Sequence, residues 1–237
     1  MSLDNLHTKG YTVINGIFSP EEVESISEKI NRTDSSKPTF RKTNDLFAIR
    51  QFLKEIPEVP TLVFNSRLNS IIRQYFGADY FSVKSIYFDK PENSNWFVAW
   101  HQDLTISVDK KVELPGFGPW TTKQDQYAVQ PPLEILESIF TIRIHLDNTD
   151  EGNGALRVIP GSHLNGIQRY SPNESGNGEE ICRVQSGGVM IMRPLLQHAS
   201  NRTTNTNRRR VIHIEFSNSY LPDGLAWAER LSVGYYS

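Results

Sequence analysis

His101-Gln102-Asp103, followed far along the chain by His198 and then Arg209, has the donor types and spacing that metal chemistry requires. Residues two apart on a strand project to one face, so the imidazole of His101 and the carboxylate of Asp103 can reach a single ion together. A second imidazole from a distant strand, His198, would complete a 2-His-1-carboxylate face on an octahedral ion and leave three positions open. That is the ligand set of non-haem Fe(II) oxygenases. Arg209 follows across the polar stretch Ala199 to Asn207, which reads as a strand, a turn and a return strand. Its guanidinium would then lie near the ion, shaped to hold a carboxylate through two parallel hydrogen bonds. A carboxylate-bearing cosubstrate beside such a centre suggests 2-oxoglutarate. The tripeptide alone is a weak signal, because His and Asp are common on half-exposed strands.

The elements that must position these residues are mostly strands. Phe140 to Leu146 alternates strictly, with Thr141, Arg143 and His145 on one face and Phe140, Ile142, Ile144 and Leu146 on the other. Tyr11–Ile14, Gly187–Met192 and Arg209–Phe216 read as further strands, and the many short strands separated by Gly, Pro and Asn fit a jelly roll. Before residue 80 the pattern is helical. Ser19-Pro20-Glu21-Glu22 forms a capping box that starts a helix to about Ile30, with Val23, Ile26 and Ile30 on one stripe. A second helix is expected from about Thr61 to Tyr75, closed by Gly77. Val112 to Pro132, rich in proline and glycine, reads as a long irregular loop: either a mobile cover carrying Phe117, Trp120 and Tyr127, or a static loop whose aromatics pack on the core.

Several segments together resemble one family. Phe88-Asp89-Lys90-Pro91, Asn95-Trp96, Trp100 to Leu104, Gly152 to His163 (GNGALRVIPGSH) and Arg193 to Ser200 (RPLLQHAS) occur in the order found in the phytanoyl-CoA dioxygenase family, and the chain resembles a bacterial-type member. The similarity runs from about residue 80 to 218, and the NG-x-LRVIPGSH segment is far more specific than HxD. The resemblance implies a mainly β protein with flanking helices, a double-stranded β-helix (jelly roll, cupin-like) acting as an Fe(II)- and 2-oxoglutarate-dependent dioxygenase. It makes His101, Asp103 and His198 the iron ligands and Arg209 the partner of the distal carboxylate of 2-oxoglutarate. Gln102, Arg143 and Ser200 fall where family members place further cosubstrate contacts, and Thr141, on the Arg143 face, is grouped with them. The family often has an aromatic or another large residue at the Arg143 position, so this arginine could instead face substrate or pair with an acid. Related halogenases replace the carboxylate with a small residue; the presence of Asp103 favours hydroxylation, with O2 as second cosubstrate and succinate and CO2 released.

Composition sets the outer bounds. The 237 residues suit one domain, with 1–79 a helical lead-in packed on the core, 80–218 the β-helix and 219–237 a C-terminal tail. A net charge of −2 with interspersed signs argues against nucleic acid, and no run of 18 apolar residues argues for a membrane span. The single cysteine, Cys182, reads as a buried structural thiol. The expected protein is soluble and cytoplasmic, a monomer or small homo-oligomer acting on a small-molecule substrate. Arg208 and Arg210, of opposite strand phase to Arg209, read as solvated; Lys84 and Lys90 could steer an anionic substrate but read as surface lysines; Trp96, Trp100 and Trp120 read as core aromatics ahead of a substrate platform. His163 reads as structural, and His213 as either a pocket residue or a hydrogen-bonded core histidine. Two readings of other classes use the same residues: a catalytically silent jelly-roll binding protein, and a zinc-dependent hydrolase, which gives Arg209 no purpose.

Overall fold

The two faces of the segment that alternates from residue 140 meet different surroundings, and the architecture follows from that. In the computed structural model, which describes residues 3–34, 36–45, 47–123, 126–168, 178–222 and 224–233, the strands in chain order are β1 (Tyr11–Ile14), β2 (Phe40–Lys42), β3 (Phe47–Arg50), β4 (Phe81–Lys90), β5 (Val98–His101), β6 (Ile106–Val108), β7 (Trp120–Lys123), β8 (Gln126–Val129), β9 (Phe140–His145), β10 (Leu156–Val158), β11 (Glu180–Cys182), β12 (Val189–Met192), β13 (His198–Ser200), β14 (Arg209–Ser217) and β15 (Leu231–Ser232). The helices are α1 (Leu3–Thr8), α2 (Pro20–Asn31), α3 (Phe52–Glu55), α4 (Val59–Val63), α5 (Ser66–Phe76) and α6 (Leu133–Glu137). Among the described residues, a large sheet runs β1-β12-β9-β14-β4-β3-β2 with β15 also on β4, and a smaller sheet runs β11-β10-β13-β5. The protein is thus mainly β with flanking helices, the jelly-roll architecture expected.

The outer face of the large sheet carries the core. Phe140, Ile142 and Ile144 of β9, Ile212, Ile214 and Phe216 of β14 and Tyr87 of β4 join Ile26, Val63, Leu68 and Ile72 of the helices in one apolar cluster. Each such side chain contributes about 1.5–3 kcal/mol on full burial. Phe76 stacks on Phe140 with ring centroids 3.5 Å apart, and Phe140 stacks on Phe216 at 4.9 Å. The helices dock here because their apolar stripes match this face. In α2, Ser19 accepts from the Glu22 amide while the Glu22 carboxylate accepts from the Ser19 amide, and Val23, Ile26 and Ile30 are buried as expected.

The helix expected over residues 61–75 is two helices. Asn65 takes an extended backbone and its side chain accepts from the Leu68 amide at 2.9 Å, which caps α5 and ends α4 at Val63. An asparagine inside an apolar repeat competes for the backbone and starts a new helix rather than continuing the old one. Phe64, freed from the helical path, is buried against Phe216. Gly77 closes α5 with φ 99, as expected.

The lead-in also carries strands: β1, expected at Tyr11–Ile14, pairs with the β12 edge, and β2 and β3, which no alternation marks, join the β4 side of the large sheet. The tail supplies β15, and Glu229 accepts from both the amide and the hydroxyl of Ser85, at 2.7 and 2.5 Å.

Val112 to Pro132 is not an irregular loop. It contains the hairpin β7–β8, which extends with β6 into a third sheet. The prolines lie just outside the paired residues: Pro119 precedes β7, and Pro131 and Pro132 follow β8. Phe117, Trp120 and Tyr127 pack against Phe81, Ile106, Val108, Val129 and Trp227, so the aromatics fill a second apolar cluster. No helix among the described residues is long and apolar enough to cross a membrane.

Candidate functional site

His101 ends β5 and lies directly opposite His198 at the start of β13. The register between these strands shifts: His198 pairs with His101 and Ser200 with Val98, so β5 carries one residue more than its partner over the same span. Such a bulge reverses the facing of one end of a strand relative to the other. Val98 and His101, three apart, consequently line the same pocket as His198 and Ser200. Asp103 follows with its amide donating to the Pro194 carbonyl at 2.9 Å.

The three side chains converge. His101 Nε2 is 3.8 Å from Asp103 Oδ1, and His198 Nε2 is 3.8 Å from Asp103 Oδ2. Two atoms each about 2.1 Å from one ion can stand at most about 4.2 Å apart, and both separations meet that limit. The histidines are oriented for this. His101 Nδ1 lies 2.8 Å from the Ala99 carbonyl and His198 Nδ1 lies 2.9 Å from the Leu196 carbonyl, contacts in which each Nδ1–H donates and each Nε2 lone pair is left facing Asp103. Burial lowers the His198 pKa to about 4 against the opposing pull of Asp103, so the ring is neutral near pH 7. Burial pushes the Asp103 carboxyl up, but His198, His213, Lys84 and His101 outweigh it and hold it below the usual carboxylate range. Its Oδ2 is buried without a hydrogen-bond partner. A buried, ionised carboxylate oxygen facing two imidazole lone pairs, with no proton donor supplied, fits a divalent cation.

The wall opposite is the inward face of the large sheet. Arg143 Nη1 donates to His213 Nδ1 at 3.1 Å, His213 Nε2 then donates to Glu215 Oε1 at 3.2 Å, and Lys84 Nζ donates to the same oxygen at 2.7 Å. Asp103, His213 and Glu215 also lie within 4.8 Å of one another, but both His213 nitrogens are engaged in this chain. Arg209 donates to the Gly154 carbonyl, while its Nε is buried without a partner. Burial, with Arg143 nearby, lowers the Arg209 pKa to about 9. Gly154 explains part of the NG-x-LRVIPGSH segment: its φ is +86, and a Cβ there would meet Lys90 Nζ at 2.7 Å and the Asn201 carbonyl at 3.0 Å.

These walls enclose a pocket of about 470 Å³, within the ordinary range for small-molecule sites. Of the residues singled out in the sequence, His101, Asp103, His198, Arg209, Arg143 and Ser200 line it, and Ser200 Oγ is buried without a partner. Gln102 and Thr141 do not line it. Gln102, just past the end of β5, has its side-chain amide donating to the carbonyls of Gly166 and Leu195 at 2.9 and 2.6 Å and accepting from the Gln168 amide at 2.8 Å. Both polar groups of that side chain are engaged in tying loops together. Thr141 is fully buried with its Oγ1 unpartnered.

Other expectations change as well. Lys84 and Lys90, read as surface lysines, lie on the inward face of β4, which the alternation Lys84, Ile86, Phe88, Lys90 carries, Lys90 buried and Lys84 half-buried. Arg208 and Arg210 face away from Arg209 as expected, but they are ion-paired rather than merely solvated, Arg208 with Asp89 and Arg210 with Asp147 at 2.7 Å. Trp96 lines the pocket, whereas Trp120 sits in the third-sheet cluster. His163 is structural: its Nε2 contacts the His7 carbonyl at 3.1 Å.

The pattern described as phytanoyl-CoA dioxygenase (PhyH) matches residues 6–211. The chain belongs to the phytanoyl-CoA dioxygenase family. Among curated relatives of this family member, a probable alpha-ketoglutarate-dependent hypophosphite dioxygenase from Stutzerimonas stutzeri is 26% identical over 195 residues, 75% of this chain and 57% of that protein. Dioxygenase cnsJ from Penicillium expansum is 19% identical over 229 residues, 91% of this chain and 66% of that protein. The chain therefore spans less than two thirds of the length of either. Two solved structures share its fold. HygX from Streptomyces hygroscopicus, determined with nickel, 2-oxoglutarate and hygromycin B, has a TM-score of 0.66 at 15% identity, covering 94% of this chain and 90% of that one. EctD from S. alaskensis, in its apoform, has a TM-score of 0.69 at 18% identity, covering 92% and 77%. In this phytanoyl-CoA dioxygenase family chain, Arg50 is a pocket group that sequence reasoning passed over, and Lys84, read there as a surface lysine, also lines the pocket. Strand parity on β4 could have placed Lys84 inward; nothing local marks Arg50.

Proposed function

We propose that the chain is an Fe(II)- and 2-oxoglutarate-dependent dioxygenase that hydroxylates a small molecule with consumption of O2 and release of succinate and CO2. The observation that carries this reading is the pairing of two oriented imidazole Nε2 atoms with the Asp103 carboxylate, whose Oδ2 is unpartnered, in the same pocket as the unpartnered Nε of Arg209. In it, His101, Asp103 and His198 hold Fe(II), and Arg209 anchors the distal carboxylate of 2-oxoglutarate. When bound, the metal and cosubstrate supply oxidative decarboxylation coupled to oxidation of a C–H bond.

The chain's own groups have definable tasks. The Ala99 and Leu196 carbonyls keep Nε2 of each histidine deprotonated and aimed. Arg209 holds its carboxylate out of water, where a charge-assisted bond is stronger than in solution. Ser200 Oγ and Arg143 Nε offer further donors to an anion in the pocket, and Phe88, Trp96, Val98 and Leu156 keep water away from the reacting bond. A reducing compartment, the cytoplasm, suits Fe(II) and the buried thiol of Cys182, which burial pushes up to about 12.

The test is anaerobic loading with Fe(II) and 2-oxoglutarate, read by the visible charge-transfer absorption of their complex, then admission of O2 and measurement of succinate. The band and O2-dependent succinate are the expected results. Zinc retention with no response to 2-oxoglutarate would support a hydrolase, and a protein that binds neither would be a silent jelly roll.

A further inference from the structure

Arg50 ends β3 opposite Ile86 of β4, so it shares the pocket wall with Lys84, Ile86 and Phe88. The other cations of this region are engaged. Lys84 pairs with Glu215, Arg143 bonds His213, Arg209 bonds the Gly154 carbonyl, and outside the pocket Arg208 and Arg210 pair with Asp89 and Asp147. Arg50 has no acidic partner and no side-chain hydrogen bond among the described residues. Burial, and then the charge of Arg41, lower its pKa from the ordinary guanidinium value. A guanidinium half withdrawn from water with no anion beside it costs stability. The next residue adds to that cost, because Gln51 holds a left-handed backbone with φ 51, and uncompensated strain of this kind concentrates at ligand sites.

The charge balance of the loaded pocket points the same way. Asp103 and the two carboxylates of 2-oxoglutarate offset a divalent ion and Arg209, while Lys84 and Glu215 offset each other. Arg50 and Arg143 remain uncompensated, so the space left for substrate is cationic, with Ile86, Phe88 and Trp96 as its apolar lining. We propose that the prime substrate is a compact molecule bearing an anionic group, a carboxylate or phosphonate, which Arg50 binds while the apolar residues enclose the rest. The inference deepens the dioxygenase reading and rests on it for the reaction, although not for the binding.

The experiment is calorimetric titration of the anaerobic Fe(II)- and 2-oxoglutarate-loaded protein with butyrate, propylphosphonate and, as a neutral match, butyramide. The same titrations are run on metal-free protein and on the Arg50→Gln and Arg50→Lys variants. At least one anion should bind the wild type and butyramide should not, Arg50→Gln should weaken the anion tenfold or more, and Arg50→Lys should recover part of that loss. Retention of the charge-transfer band in both variants shows that the metal site has survived the substitution. The proposal is overturned if neither anion binds, if butyramide binds as well, if Arg50→Gln binds the anion unchanged, or if raising 2-oxoglutarate displaces the anion competitively, which would put it at Arg209. Loss of the band in the wild type with anion binding through Arg50 intact would instead overturn the oxygenase reading and leave the anion subsite standing.

Discussion

Along β9 and β14, neighbouring residues live in different solvents. At even positions Phe140, Ile142, Ile144, Ile212, Ile214 and Phe216 are fully buried in the helix-facing core, while Arg210 pairs with Asp147. At odd positions the side chains are buried as well, but apart from Val211 they are polar or charged: Thr141, Arg143, His145, Arg209, His213 and Glu215. Thr141 Oγ1, Arg143 Nε, His145 Nε2 and Arg209 Nε have no hydrogen-bond partner. Each unpartnered buried group of this kind costs about 1–3 kcal/mol, so the inward face is a net burden on folding that the outward face offsets. One strand pair thus separates stability from chemistry by a single residue step, and substitutions on the two faces should fail in different ways.

The strongest contrast pits the proposed ligand cluster against the core. Phe216→Ala should cost about 3–5 kcal/mol of folding stability, because it opens a cavity among stacked rings that cannot collapse. Asp103→Ala or His101→Ala should abolish metal binding and turnover with stability of the metal-free protein unchanged or raised, since each removes a group that folding does not need. Denaturant titration and equilibrium metal binding read the two effects. An iron affinity unchanged in Asp103→Ala, or a stability loss in it as large as in Phe216→Ala, would erase the division between the faces.

A finer contrast lies within three consecutive residues. Arg209→Lys keeps the charge and loses the two-pronged guanidinium, so the apparent requirement for 2-oxoglutarate should rise tenfold or more, about 1.4 kcal/mol, with iron binding preserved. Arg208→Lys and Arg210→Lys, on the opposite phase and paired to Asp89 and Asp147, should leave that requirement within about twofold, a difference of about 0.4 kcal/mol. Equal defects at all three positions would mean that the phase of β14 does not separate clamp from surface.

Strand phase is also what made much of this site legible in the sequence. Alternation placed Arg143 and Arg209 inward, HxD placed His101 and Asp103 on one side, and the capping box fixed the start of α2. The misreadings share one cause, which is that they depend on partners distant in sequence. Lys84 looks like a surface lysine until β14 brings Glu215 beside it, 131 residues away. The β5 bulge, which lets Val98 and His101 share a wall, exists only relative to β13. The hydrogen bonds that tie Gln102 to the loops at Gly166 and Leu195 likewise join residues 64 and 93 apart in sequence. Asn65, by contrast, was a local capping signal inside an apolar repeat and could have been weighed as one.

The smallest expected effect tests whether the inward face burdens folding even away from the metal cluster. Lys90 is buried beside Arg209, and its Nζ donates to the Asn201 carbonyl at 2.6 Å. Burial first and then Arg209 lower its pKa to about 7, with Asp45 opposing. The unfolded chain keeps that proton to about pH 10.4. Between the two values the unfolded state therefore binds more protons than the folded one, and stability rises with pH across that window; below about pH 7 both states are charged and the whole penalty is felt. Lys90→Met removes the titration and keeps most of the apolar stem. The metal-free wild type should gain stability relative to Lys90→Met as pH is raised from 7 to about 10, and the difference should be flat below pH 6. Arg209, whose own pKa is lowered to about 9, titrates in both proteins, so only the difference between them reports Lys90. Parallel stability curves from pH 6 to 10 would mean that Lys90 carries no buried charge and that the burden of the inward face ends at Arg209.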